Sequence, residues 1–501
     1  MGLSFSRLRT KVWFWRIAGW LLLTYSNITV KAESVLDPAP QMFYVDSVSG
    51  HDANDGHSEV TAWRLLDRVN SASVPPGSIV RFRRGGVWRG QLLPRSGTAL
   101  HPTVYGAWGT GDKPVILGSI NMRRERDWVD EGDRIWRCNA TFETDVGNLI
   151  FDGTAAFGFK KWAVNDLKAQ GDYVYDRGSK KLRLYSAANP GAYYRDIEVA
   201  LRRNVVDQDN ISNVTYEDLA IKFGAAHGFG GTNTAFVTIR NCDISFIGGG
   251  DLYMDGRRVR YGNGVEFWAN AHDCLVEKCR IWEMYDTALT NQNTFEAARA
   301  YNISYRNNVM WNCGYGSFEC WSTPASSFMA NIRFENNTCA GAGEGWGRPP
   351  QRPDPSGFHI VLDQCAVADD PAGGPRVRIR NNVFFRSNLA LSIQHASKWN
   401  SATIDYNCWY QPVGLMVNIG QAAKGFTMAR FGAYQKITGF DAHSLASDPE
   451  FVNPAERNYH LGSGSPCVAA GSETEVVDDF DGVLRPSGRP SDMGAFAAYS
   501  R

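Results

Sequence analysis

Three carboxylates recur at comparable places in three successive short apolar runs. Glu266 lies in Gly264-Val-Glu-Phe-Trp268, Asp286 immediately precedes Thr287-Ala-Leu-Thr-Asn-Gln292, and Glu319 lies in Gly316-Ser-Phe-Glu-Cys-Trp321. One carboxyl group that holds a proton and a second that does not are what cleavage of an acetal bond needs: an acid for the leaving oxygen and a base for water. Glu266, Asp286 and Glu319 are therefore the catalytic candidates. Around them stand groups suited to ring faces and hydroxyls. Trp268, Asn291, Gln292 and Trp321 come first, and Trp346, Arg348, His359, Asp363, Gln394 and His395 follow. These ten are the substrate-binding candidates.

Side chains that alternate in and out along a strand would place the carboxylates on one face. With Val265, Phe267, Phe318 and Cys320 turned inward, Glu266 and Glu319 point outward in one column. His359, with either Val361 or Asp363, continues it. The strands are spaced by a repeat. An apolar–polar–Asn–Asn/Cys–x–apolar phrase returns as Ile239-Arg-Asn-Cys-Asp-Ile244, Val276-Glu-Lys-Cys-Arg-Ile281, Tyr305-Arg-Asn-Asn-Val-Met310, Phe334-Glu-Asn-Asn-Thr-Cys339, Ile379-Arg-Asn-Asn-Val-Phe384 and Ile404-Asp-Tyr-Asn-Cys-Trp409. Its last Asn or Cys falls at 242, 279, 308, 337, 382 and 407, in steps of 37, 29, 29, 45 and 25. A period of this length means stacked units, and alternation means strands, so the chain reads as a parallel β-solenoid with an Asn ladder. Coils about 4.8 Å apart put Glu266 and Glu319 about 9.6 Å apart, the upper edge of the range that admits water between the carboxylates of an inverting glycosidase. Asp286, at the turn into the coil between, would pair with either at shorter range.

The charge balance points away from nucleic acid and anionic membrane, with 52 Lys+Arg against 52 Asp+Glu. Fifty Gly in 501 residues suit an all-β chain with many turns. Residues 1–32 read as an export signal: Arg7, Arg9 and Lys11, an apolar run from Ile17 to Tyr25, and Val30-Lys-Ala32 as cleavage site. Arg16 leaves that run too short to span a bilayer, so the expectation is a secreted or periplasmic monomer with no stable membrane insertion. All ten cysteines follow residue 32, and export permits disulfides. Cys242 and Cys279 share a ladder phase that would let them bond, but the preferred reading is small buried residues in place of Asn.

Along the chain, Thr61 to Ala72 reads as a short helix with Trp63, Leu66 and Val69 on one face, suited to cover the open end of a stack. Tyr44-Val-Asp46, Gly50-His-Asp-Ala-Asn-Asp-Gly56, Thr61-Ala-Trp63, Gly85-Gly86 and the later Asp448-Pro-Glu-Phe451, Tyr459-His-Leu461 and Asp492-Met-Gly-Ala-Phe496 resemble the opening and ending of secreted right-handed parallel β-helix proteins of the pectate-lyase-like group. The resemblance implies that fold and a carbohydrate-active role, and leaves hydrolysis, elimination and epimerisation all within the group. The expected organisation is a signal over 1–32 and a cap with first coils over 33–119. A β-sandwich-like insertion spans 120–203, the β-helix 204–420 and an irregular closing cap 421–501.

Two insertions account for the long steps: Gly248 to Gly262, and Ala340 to Ser356 with Glu344, Trp346, Arg348 and Arg352. Both precede strands of the same sheet, so both would wall a groove over it. The first reading is an exported glycoside hydrolase acting on an extended glycan. A second is a lyase acting by β-elimination on a uronic-acid polymer. It would use Arg257, Arg258, Arg260, Arg348, His359, His395 or Lys398, with Ca²⁺ held by Asp251, Asp255 or Asp363. A third is a non-catalytic carbohydrate-binding or adhesion module. Hydrolysis calls for no cofactor and no metal. The chain has no phosphate loop, dinucleotide fingerprint, HExxH or paired CxxC, and Gly248-Gly-Gly250 is too plain to bind phosphate.

Overall fold

The alternating pattern folds as three parallel sheets around one interior. A computed structural model of the chain describes residues 39–498, apart from 254–257, 354–356, 366–375, 395–398, 400 and 421–423. The expected signal segment, Asp255, Arg257, His395 and Lys398 lie outside the described residues. The first sheet has ten strands, from Met42–Val45 to Thr403–Asp405. The second has nine, from Val87–Arg89 to Cys408–Tyr410. The third has nine, from Val206–Asp207 to Lys424–Phe426. A typical coil gives one strand to each, as Ala235–Arg240, Asp243–Ile247 and Val265–Phe267 do. The chain is thus an all-β right-handed parallel β-helix.

Register stacks like on like. Ile239, Val276, Tyr305, Phe334, Ile379 and Ile404 form one interior column of the first sheet. Deep inside, Phe318 stacks on Phe334 and Phe384 on Trp409, with ring centroids 4.8 and 4.1 Å apart. Each such buried side chain contributes about 1.5–3 kcal/mol, so the interior dominates the stability of the stack.

The Asn-Asn pairs have two separate causes. The first member makes the bend between the first and second sheets: Asp218, Asn241, Lys278, Asn307, Asn336, Asn381 and Tyr406 all have φ between 47 and 60°. That left-handed conformation costs most L-residues about 1–2 kcal/mol, and Asn and Asp tolerate it best. The second member turns inward as the ladder. The Nδ2 groups of Asn308, Asn337 and Asn382 donate to Oδ1 of Asn337, Asn382 and Asn407 at 3.0, 3.1 and 3.0 Å, and all four residues are buried. Cys242 and Cys279 continue this column as buried thiols.

The N-terminal helix is shorter than its apolar pattern, covering only Leu66–Ser71. Trp63 is lost to it because that residue bridges to Val45 as a strand, its N–H donating to Tyr44 O at 2.9 Å. Leu66 and Val69 still close the main interior, and the Asn70 amide bonds Gln91 O and Leu93 N at the end of the stack. Within the inserted segment, a four-stranded and a five-stranded sheet, mostly antiparallel, enclose their own core of Leu149, Phe151, Tyr173 and Val199. At the far end the helix Phe431–Thr438 packs Phe431 and Tyr434 into the main interior. The tail then runs back along the stack, where Asp478 O, Asp492 O and Ser472 O accept from the outward amides of Asn307, Asn336 and Asn381. No helix among the described residues is long and apolar enough to cross a membrane.

Candidate active site

Register places two of the carboxylates in one column: Glu266 pairs with Thr290, and Thr290 with Glu319. The column then meets Val361, so the carboxylates end there. Over it lies a groove of about 840 Å³ lined by Glu266, Asp286, Glu319, Trp268, Gln292 and Trp321, together with His227, Asn263, Tyr315 and Arg352. The two Trp rings meet edge to face at 5.9 Å.

Each column carboxylate has one oxygen bonded to protein and one without a partner among the described residues. Glu266 Oε2 accepts from Asn263 Nδ2 at 3.0 Å and from His227 Nε2 at 2.6 Å. The His227 tautomer follows from its other nitrogen. Nδ1 accepts the Asn263 backbone N–H at 3.1 Å, so the ring proton sits on Nε2 and points at Glu266. In that coil the register partner of Glu266 is Gly230. A Cβ there would lie 2.9 Å from His227 Cβ, so glycine leaves the room that the imidazole fills.

Glu319 Oε2 accepts from Gln292 Nε2. Burial, with the Asp286 carboxylate next in strength and Glu266 lesser, holds the Glu319 carboxyl well above the usual range, against the opposite pull of Arg352 and Gln292. Asp286 is paired with Arg352, Oδ1 to Nη1 at 3.0 Å, and the guanidinium lies 4.6 Å from the Tyr315 ring centroid. Burial and the nearby Glu319 keep the Tyr315 phenol protonated.

The groove walls are the two insertions. Gly248 and Gly262 form the neck of the first, where a Cβ on Gly262 would lie 2.2 Å from Gly248 Cα. The triglycine thus serves a close chain crossing. Above the neck, Gly250–Asp251 pairs with Arg260–Tyr261. Arg260 then donates to Gly249 O, Gln351 O and Gly147 O at 2.8, 3.0 and 2.9 Å, binding the first insertion to the second and to the β-sandwich-like segment.

Several expected binding residues are elsewhere. Asn291 is buried in the interior row with Phe267 and Cys320, its Oδ1 accepting from Tyr305 Oη at 2.8 Å. His359 also points inside, against Phe384 and Ser317 Oγ. The reason is a break in alternation: Ala288-Leu289, Ser317-Phe318, His359-Ile360 and Ala390-Leu391 are all consecutive buried pairs at the start of their strands. Burial pushes the His359 imidazole down to about 3. Trp346 is a buried strut whose indole donates to Glu283 O at 2.7 Å, and with Arg348 it lines a separate depression. Asp363 lies beside Trp321 in register, outside the groove lining, and Gln394 follows one strand beyond, its N–H bonded to Leu362 O. Among the described residues no three His, Cys, Asp or Glu side chains gather as a cation site.

His227 and Asn263 were not singled out by sequence because they lie in turns outside the recurring strands. The available signal was Gly230, a bare position in the carboxylate column with a histidine three residues before it.

No protein-family model matches the chain. A stretch of 121 residues is 31% identical to a lacto-N-biosidase of Bifidobacterium longum, covering 23% of this chain and 7% of that relative. The chain thus spans a small part of that protein. Among solved structures, a glycoside hydrolase aligns over 80% of this chain and 99% of its own at 10% identity, with a TM-score of 0.45. A pectate lyase aligns over 92% and 97% at 12% identity, with a TM-score of 0.42.

Proposed function

We propose that the protein is an exported glycoside hydrolase that cleaves a glycan lying over the third sheet, with inversion at the anomeric carbon. The observation that carries this reading is the pair Glu266 and Glu319, two strands apart, each with one oxygen held by protein and one unpartnered among the described residues, beside two Trp rings. Glu319, whose burial and neighbouring Asp286 carboxylate favour its protonated form, gives that proton to the glycosidic oxygen. Glu266, its Oε2 held by the His227 and Asn263 donors, takes a proton from the water that attacks the opposite face. Two strand spacings, about 9.6 Å, leave room for sugar and water. Asp286 has a third role: anchored by Arg352, its charge makes loss of the Glu319 proton costly. Trp268 and Trp321 offer faces to the sugar rings.

Elimination is less well supported. The arginines in the groove lining, Arg260 and Arg352, are bonded to three carbonyls and to Asp286. Arg258 and Arg348 line other depressions, and His359 is interior. The 121-residue likeness to a lacto-N-biosidase points toward hydrolysis as well.

The test is incubation with neutral and uronic-acid polysaccharides, reading new reducing ends, ultraviolet absorbance of unsaturated uronates and the anomer first released by NMR. Reducing ends of inverted configuration without absorbance are expected. Unsaturated product would establish elimination, a retained anomer would replace Glu266 by Asp286 as partner, and binding without product would favour the adhesion module.

A further inference from the structure

The hairpin that walls the groove has a second side. Leu252, Val259 and Tyr261 line the groove, whereas Asp251, Tyr253 and Arg258 line a cavity of about 530 Å³ between the hairpin and the β-sandwich-like segment. Trp162, Lys160, Asp145, Tyr175, Asp176 and Arg177 line it from the other side.

Its cations are arranged for a guest. The Arg258 guanidinium lies 4.7 Å from the Trp162 ring centroid and that of Arg177 4.2 Å from the Tyr253 centroid. Arg258 Nη1 donates to Trp162 O at 3.3 Å, and the other N–H groups along the edge of a guanidinium laid on an aromatic face can reach a planar anion. At the base, the buried Lys160 ammonium is neutralised by Asp145 and also donates to Val146 O at 2.9 Å. Asp176, which also lines the cavity, is held by Ser179 Oγ at 2.6 Å and by Arg183 at 3.5 Å, so two arginines face one remaining carboxylate, that of Asp251. The Tyr253 hydroxyl is screened from solvent with no hydrogen-bond partner among the described residues, so a polar group of a guest would satisfy it. It and the carboxylates of Asp145 and Asp251 match the donors and acceptors of sugar hydroxyls. The volume suits one or two sugar residues.

We propose that this cavity is a second saccharide site that takes a carboxylate-bearing sugar, Arg177 and Arg258 gripping the carboxylate and the Tyr253 hydroxyl a ring substituent. The site lies across the hairpin from the proposed catalytic groove and does not depend on the reaction assigned there. An acidic glycan, or an acidic branch of one, would be held here while a second segment occupies the groove.

Titration calorimetry of the full chain with digalacturonate, the matching neutral disaccharide and acetate tests it. Digalacturonate is expected to bind, with affinity falling as salt rises. Arg177→Gln and Arg258→Gln should each weaken it at least fivefold, while Trp268→Ala in the groove leaves it unchanged. Both arginines are exposed, so these variants should keep the wild-type melting temperature. Absence of binding, equal binding of the neutral disaccharide or of acetate, or loss with Trp268→Ala but not with the arginine variants would overturn the proposal.

Discussion

Two columns of polar residues run along this stack, one inside the bend between the first and second sheets and one outside the third sheet. In the inner column every amide is used: Asn337 donates to Tyr305 O and Asn382 Oδ1 and accepts from the backbone and side chain of Asn308. In the outer column Glu266 and Glu319 spend one oxygen each and keep the other. The inner column repeats with little variation, whereas the outer one changes residue type at each coil, from Gly230 through Glu266, Thr290 and Glu319 to Val361. Regularity with complete satisfaction belongs to scaffold. Irregularity with unspent hydrogen-bonding capacity belongs to chemistry.

That contrast can be broken by exchanging the effects. Glu319→Gln removes the acid but keeps shape and the Gln292 contact, so kcat should fall by about 10²–10⁴ while the melting temperature holds. In the wild type, activity should decline as pH rises through the elevated Glu319 value. Asn337→Ala should do the reverse. Unpaired buried groups cost about 1–3 kcal/mol each, so chemical denaturation should show a loss of roughly 3 kcal/mol with kcat retained in the folded fraction.

The interior has its own titration. His359 is neutral when folded, with a value of about 3 against about 6.5 unfolded. Its contribution is whole above pH 6.5 and is lost as pH falls toward 3, at about 1.4 kcal/mol per pH unit. Denaturation across this window should flatten in His359→Leu. Gly230→Ala crowds His227 away from Glu266, and a kcat lower by about tenfold with little change in stability is expected. Trp268→Ala, the mildest, should raise KM severalfold, since an aromatic contact is worth about 1 kcal/mol.

The stacked coils were legible because a ladder repeats its letters, and the shared column of Glu266 and Glu319 followed from period two. His359 was misplaced by the same rule, because its strand begins with two consecutive inward residues, which no alternation anticipates. Asn291 and Gln292 are adjacent and cannot both face out; only the register shows that Gln292 does. Trp346 looked like a sugar platform because an aromatic in a long loop has no periodic context. The doubled Asn hid two roles in one phrase, since conformation selects the first and hydrogen bonding the second. His227 was invisible because its site is marked by an absent side chain one coil away.

A stack in which each coil touches only its neighbours has no intrinsic length, and each new coil presents the same template as the last. The helix Leu66–Ser71 therefore guards against self-association, since the open end of a stack is an unpaired strand edge able to accept a strand from another molecule. A chain that folds its coils but loses Leu66 or Val69 from the core would add copies end to end, and fibre growth rather than unfolding would be its mode of failure.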